Sequence, residues 1–186
     1  MKRDQTSNQR WTERRTALRS TFKMISTLSP RPKRAIVRRR SSCLRQTHFM
    51  AADYIIKTDE NAVFSIAWDT LAFTDIINHR NCLLKDTAFN PVFRQVVDLT
   101  RVTSMELSND QIKSLARRPL FAAKTRRAIV ADSGLHYGLG RMFHAYSEGQ
   151  TVEIFPRLGE AVQWVGVPIE VASKSFAELC SKHGLV

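Results

Sequence analysis

Phe93-Arg94-Gln95-Val96-Val97-Asp98-Leu99, followed within ten residues by Ser108-Asn109-Asp110-Gln111, decides the fold class. The first run is rich in β-branched and apolar residues and reads as a short buried strand. The second is a capping-box pattern. Ser108 can accept from a free backbone N–H while Gln111 reaches back to the Ser108 backbone. A helix from there to about Arg118 places Ile112, Leu115 and Ala116 on one face. Downstream, Arg127-Ala128-Ile129-Val130-Ala131 is a strand and Asp132-Ser133-Gly134 a turn. A helix then runs to about Ser147 and ends at Glu148-Gly149. Val152 to Phe155 is the next strand, and Leu158 to Val165 a core helix with Leu158, Ala161, Val162 and Val165 inward. After the break at Pro168, a short helix from Val171 to Lys182 docks Phe176, Leu179 and Cys180 and ends before Gly184. Upstream, Asp69 or Thr70 caps a helix to about Leu84. Before it, Tyr54-Ile55-Ile56 and Ala62 to Trp68 form a hairpin around Asp59-Glu60-Asn61. Strands alternating with helices predict an α/β fold: a mostly parallel sheet with helices packed on it and an antiparallel N-terminal edge.

The chain has 186 residues, 43% hydrophobic and 25% charged, with a formal net charge of +12. No run approaches the roughly 18 apolar residues of a transmembrane helix. The charge is not evenly spread. Residues 1–50 hold 14 Lys and Arg against two acids, so residues 51–186 are neutral. The expected organisation is a basic, disordered N-terminal extension (1–50), a domain (51–166) and a C-terminal helical tail (167–186). The extension, with its Arg38-Arg39-Arg40 patch and an amphipathic stretch from Trp11 to Met24, reads in three ways. It is a transit-type presequence, a phosphate-binding arm, or a segment absent from a protein that starts at Met50. Cys43, Cys82 and Cys180 are odd in number and far apart, which argues against a disulfide framework and for a reducing, cytoplasmic setting.

The run Phe93 to Thr103 looks like the strand, Asp-Leu, x, x, Val-Thr segment of STAS domains. Arg127 to Ala131 with Tyr137-Gly138-Leu139-Gly140-Arg141-Met142-Phe143 resembles the matching segment of the bacterial SpoIIAA-like family. Val152 to Phe155 with Glu160-Ala161-Val162-Gln163-Trp164-Val165 resembles that family's ending. The similarity spans about Tyr54 to Val165. It implies a SpoIIAA-like fold, shared with STAS domains and with CRAL-TRIO lipid-binding domains, and a regulatory binding module in place of an enzyme. In the anti-sigma-factor antagonists a Ser at the start of the helix after this strand is phosphorylated, and that position falls on Ser108. The family's acidic-Ser-Ser-Gly pattern reads Glu106-Leu107-Ser108-Asn109 here, without the first Ser and the Gly.

Ser108 is therefore a candidate phospho-acceptor whose simpler use is as a helix N-cap. Asp132, Ser133 and Gly134, at the carboxyl end of the sheet before a helix, form a candidate ligand or anion loop. Their simpler use is a capped turn. Gly138 and Gly140 inside a helix cost about 1 kcal/mol each relative to Ala, so close packing should compensate them. With Tyr137 and Arg141 they mark a helix-packing or partner face. Asp98 reads as capping the turn that follows it. His79, His136, His144 and His183 show no metal-ligand spacing, and no nucleophile–base pair or cofactor fingerprint appears. Cys82 reads as a small core residue. The aromatics, Phe121 and Phe143 among them, fall at core spacings or line a pocket for an apolar ligand. Arg117, Arg118, Lys124, Arg126 and Arg127 form a basic patch that reads as a solvated loop. Three functions follow as expectations. They are a non-enzymatic module binding a protein partner or a second copy of itself, a module binding a small apolar ligand or lipid at the strand carboxyl ends, and nucleic-acid binding through residues 1–50.

Overall fold

The computed structural model describes residues 50–132 and 134–185. The basic extension, apart from Met50, and Ser133 lie outside the described residues. β1 (Ala52–Lys57) and β2 (Ala62–Ala72) form the expected antiparallel hairpin, with Ile55 opposite Phe64. A 3₁₀ turn over Thr58–Glu60 joins them, and Asn61 closes it at φ 49°. Asn tolerates that left-handed conformation better than most residues.

The chain continues as α1 (Phe73–Lys85), β3 (Arg94–Glu106), α2 (Asn109–Ala116), β4 (Arg127–Val130) and α3 (Gly134–Tyr146). It closes with β5 (Val152–Phe155), α4 (Leu158–Val165) and α5 (Ile169–His183). The five strands lie in the order 1-2-3-4-5, and β2 to β5 are parallel. The alternation read from sequence is the alternation found.

Two boundaries differ, for one reason. β2 does not stop at Trp68, nor β3 at Leu99. They pair on together as far as Leu71 with Met105 and Ala72 with Glu106. Register shifts between Ile66 and Trp68 and between Asp69 and Thr70 re-align the pair, and Asp69 takes φ 53° there. Asp69 and Thr70 are therefore strand residues and cannot cap α1. Asp75 does so in their place, its Oδ2 accepting from the Ala72 N–H at 3.0 Å. The added length carries exposed Thr70, Arg101 and Thr103, which is not the pattern of a buried strand.

Strand side chains alternate between faces. Phe64, Ile66, Val96, Ala128 and Val130 point to one face and meet Ala161, Val162 and Val165 of α4 and Ala172, Phe176 and Leu179 of α5. The docking residues expected on both helices are thus in place, with Phe64 and Phe176 edge to face at 5.6 Å between ring centres. The C-terminal segment is a core element, longer than expected, and not an appended tail. Asp53 of β1 accepts from Lys182 and lies 2.7 Å from His183 Nε2, which ties the end of α5 to the hairpin. Cys180 is a buried free thiol in this core. Cys82 is disulfide-bonded, against the expectation for the cysteines.

The opposite face carries Val63, Ser65 and Ala67, then Gln95, Val97 and Leu99, then Arg127 and Ile129, then Val152 and Ile154. Helices α1, α2 and α3 cover it. Leu179 is fully buried under α5 on the first face. Leu179→Ala should lower unfolding free energy by about 3 kcal/mol, seen as a shifted urea midpoint at unchanged slope. A loss below about 1 kcal/mol would mean that α5 is not part of the core.

Candidate functional site

Between the sheet and α1, α2 and α3 lies a cavity of about 160 Å³. Its floor is Ala67, Val97, Leu99 and Ile129, flanked by the polar residues Ser65, Gln95 and Arg127. Ile76, His79, Arg80 and Leu83 of α1 form one wall, Ile112 and Leu115 of α2 another. Leu139, Gly140 and Phe143 of α3, with Phe121, complete it. The helical spacing explains the roof. Ile76, His79 and Leu83 are three and four residues apart, so all three fall on the inward side of α1.

Arg127 is the unusual member. It begins β4 and is 8% exposed. Its Nε donates to Gln95 Oε1 at 3.1 Å and its Nη1 to Gln150 Oε1 at 3.1 Å. Gln95 Nε2 in turn donates to Ser65 Oγ at 3.2 Å, and Gln150 Nε2 to the Ala116 carbonyl at 2.9 Å. A polar chain thus crosses three strands on the cavity floor and ends on the last turn of α2. The guanidinium carbon sits 4.8 Å from the Phe121 ring centre and 5.7 Å from that of Phe143. No carboxylate pairs with it among the described residues. Burial pushes its pKa down to about 10, and the nearby Arg80 charge adds to the shift. The sequence reading had placed Arg127 in a solvated basic patch. Only Arg117, Arg118, Lys124 and Arg126 are exposed. Strand alternation puts Arg127 on the same face as Ile129.

Arg80 is half-buried on α1, and its guanidinium donates to the Arg118 carbonyl. Burial lowers its pKa, helped by the Arg118 charge. His79 packs edge to face on Tyr54 at 5.4 Å, and its Nε2 is buried without a hydrogen-bond partner among the described residues. Burial pushes the His79 pKa down to about 4; Asp53 acts against the shift and Arg80 with it. His79 is therefore neutral at pH 7.

The residues singled out from sequence lie elsewhere. Ser108 is exposed and caps α2, its Oγ accepting from the Gln111 N–H at 3.3 Å. Gln111 Oε1 accepts from the Ser108 N–H at 2.8 Å. This is the capping box expected, with a contribution of about 1 kcal/mol. Asp132 and Gly134 are exposed and do not line the cavity. On α3, a Cβ added to Gly140 would stand 3.2 Å from Ile154 Cδ1, whereas one on Gly138 meets nothing within 4 Å. Close packing on the sheet therefore accounts for Gly140 alone. Tyr137, Gly138 and Arg141 face outward. Asp98 Oδ1 accepts from the Thr100 N–H at 2.9 Å and hydroxyl at 2.7 Å, but both residues lie inside β3 beside its register shift, so the turn expected after Asp98 is absent and the carboxylate caps a strand irregularity. Among the described residues no group of three His, Cys, Asp or Glu side chains converges as a metal site, and no helix is long and apolar enough to cross a membrane.

No protein-family model and no curated protein matches the chain. Among solved structures, it is similar to an uncharacterized protein of the DUF3478 family with a SpoIIAA-like fold from Shewanella loihica PV-4. The two share 18% identity over 62% of this chain and 92% of that one, with a TM-score of 0.44. The order of the chain's own strands and helices makes this an α/β protein. Likeness at this level says nothing of function.

The buried His79 makes stability depend on pH. Its folded pKa lies below the unfolded value of about 6.5. Above pH 6.5 both states are neutral and the full stability is present. As pH falls from 6.5 towards 4, the unfolded chain takes up a proton that the folded chain refuses, at a cost of up to about 3 kcal/mol. Urea unfolding of the parent at pH 7 and pH 4.5 should show that loss, and His79→Gln should reduce it. Equal losses in the two proteins would show that His79 is not the group responsible.

Proposed function

We propose that this chain is a non-enzymatic module that binds a small, largely apolar ligand between its sheet and the helices α1, α2 and α3. The observation that carries the reading is the cavity of about 160 Å³ with mostly apolar walls. Well-packed interiors leave few voids larger than a water molecule. An apolar cavity of about 150 Å³ stays dry and takes up benzene. Pockets for drug-sized molecules run to roughly 300–1,000 Å³. The ligand is therefore of the size of one ring or a short chain, and a full lipid is too large. Its place is under the crossover helices and not confined to the strand carboxyl ends.

Toluene is the neutral probe. Added at about 100 times its dissociation constant, it should raise the unfolding free energy by about 2.7 kcal/mol and shift the amide resonances of the cavity residues. Val97→Phe, which fills the floor, should abolish both effects with the fold retained. Toluene that binds equally well to Val97→Phe would place the ligand elsewhere.

A regulatory role through protein contact is favoured by a second observation. The helix that lines the cavity with Gly140 and Phe143 presents Tyr137, Gly138 and Arg141 on its outer side. One helix thus borders both the cavity and the surroundings. If that face binds a second copy of the chain, sedimentation should show self-association that Tyr137→Glu with Arg141→Glu weakens while toluene binding is kept. A monomer at all concentrations would exclude the homodimer.

A further inference from the structure

We infer that the ligand of this cavity is a small apolar organic anion, a monocarboxylate on one ring or short chain, whose carboxylate meets Arg127, Arg80 and His79. The inference rests on the cavity being a ligand site and adds the chemical class.

The argument starts from an imbalance of charge. Removing a guanidinium from water costs several kcal/mol unless a partner charge or a full set of hydrogen bonds replaces the water. Among the described residues Arg127 has neutral partners only. Two glutamine oxygens and two ring faces receive it, and no acceptor among the described residues takes Nη2. A second guanidinium, Arg80, lines the same cavity and acts unfavourably on Arg127. Neither has an acid partner among the described residues. Asp53, the carboxylate that acts on His79, is already held by Lys182 and His183.

His79 Nε2 is an independent observation that points to the same place. It is buried on the cavity wall and has no hydrogen-bond partner among the described residues. A buried polar atom left unpaired costs roughly 1–3 kcal/mol. A carboxylate in the cavity would remove both costs together. It offers two oxygens to the guanidiniums, which match its planar geometry. It also accepts from His79 in the Nε2–H tautomer. The remaining walls are apolar, so the rest of the ligand is apolar. The volume limits that rest to about one ring.

Benzoate, toluene and benzylamine separate the elements of the inference, because they share a ring and differ in charge. Calorimetric titration of the full chain at pH 7 should show benzoate binding at least about tenfold more tightly than toluene, and benzylamine more weakly than either. Arg127→Met and Arg80→Gln should each cut the preference for benzoate over toluene, measured on the same variant, by about tenfold or more. Arg80, half-buried on α1, keeps the test decisive if Arg127→Met fails to fold. Benzoate no tighter than toluene, or benzylamine as tight as benzoate, overturns the anion inference and leaves the apolar cavity standing. Failure of all three probes overturns the cavity reading itself.

Discussion

Everything in this fold follows from the direction in which β2 to β5 are wound. The strands lie in sequence order and run parallel. Each connection from one to the next must therefore cross over, and crossovers are almost always right-handed. Steps that all move the same way along the sheet put their helices on the same face. So α1, α2 and α3 share one side and leave the other bare. That other side carries Phe64, Ile66, Val96, Ala128 and Val130, and no stable sheet leaves such a row in water. Among the described residues, the chain after β5 covers it. This is why α4 and α5 are core elements, and why Leu179, near the end of the chain, is as buried as the central strands. Arg94 makes the same connection from within β3, donating to the Gly166 carbonyl between α4 and α5 and to the Glu60 carbonyl at 2.7 Å.

The two faces differ in how they are filled. On the α4 and α5 face, small and large apolar side chains interlock. On the other face, three helices approach from separate crossovers, and the space between them holds a polar chain from Ser65 to Gln150. Replacing such a network by apolar side chains of similar shape commonly leaves stability equal or higher. Its persistence here is thus no argument from stability. The network does one thing that apolar packing cannot. It holds a guanidinium at a fixed place on the cavity floor, braced by Gln95 and Gln150 and flanked by Phe121 and Phe143.

The parts of this structure legible in the sequence are those governed by local spacing. The Ser108–Gln111 capping box, the inward stripe of α4, the turn at Asn61 and the order of strands and helices depend on residues within a few positions of one another. The extension of β2 and β3 was hidden, because exposed Thr70, Arg101 and Thr103 give no apolar run and the pairing that holds them is between distant segments. Arg127 was read with Arg126 as a surface pair. The signal that separates them was present: one residue apart on a strand means opposite faces, and Arg127 shares parity with Ile129. His79 likewise lay at helical spacing from Ile76 and Leu83. What no spacing discloses is that the inward Arg127 finds no acid opposite it among the described residues, since that depends on three strands and three helices meeting.

The winding also explains why the cavity lies where it does. In open α/β sheets the usual ligand crevice opens at the carboxyl ends of strands, at the point where successive crossovers leave in opposite directions. A sheet wound one way throughout has no such point. Asp132, at the carboxyl end of β4, accordingly does not line the cavity. The space that a reversal would have created outside the strand ends is found instead beneath the crossover helices. In this topology a ligand site is built from the inner faces of helices, and the residues to look for are inward polar side chains on the crossovers and the strands beneath them. His79, Arg80, Gln95 and Arg127 are such residues.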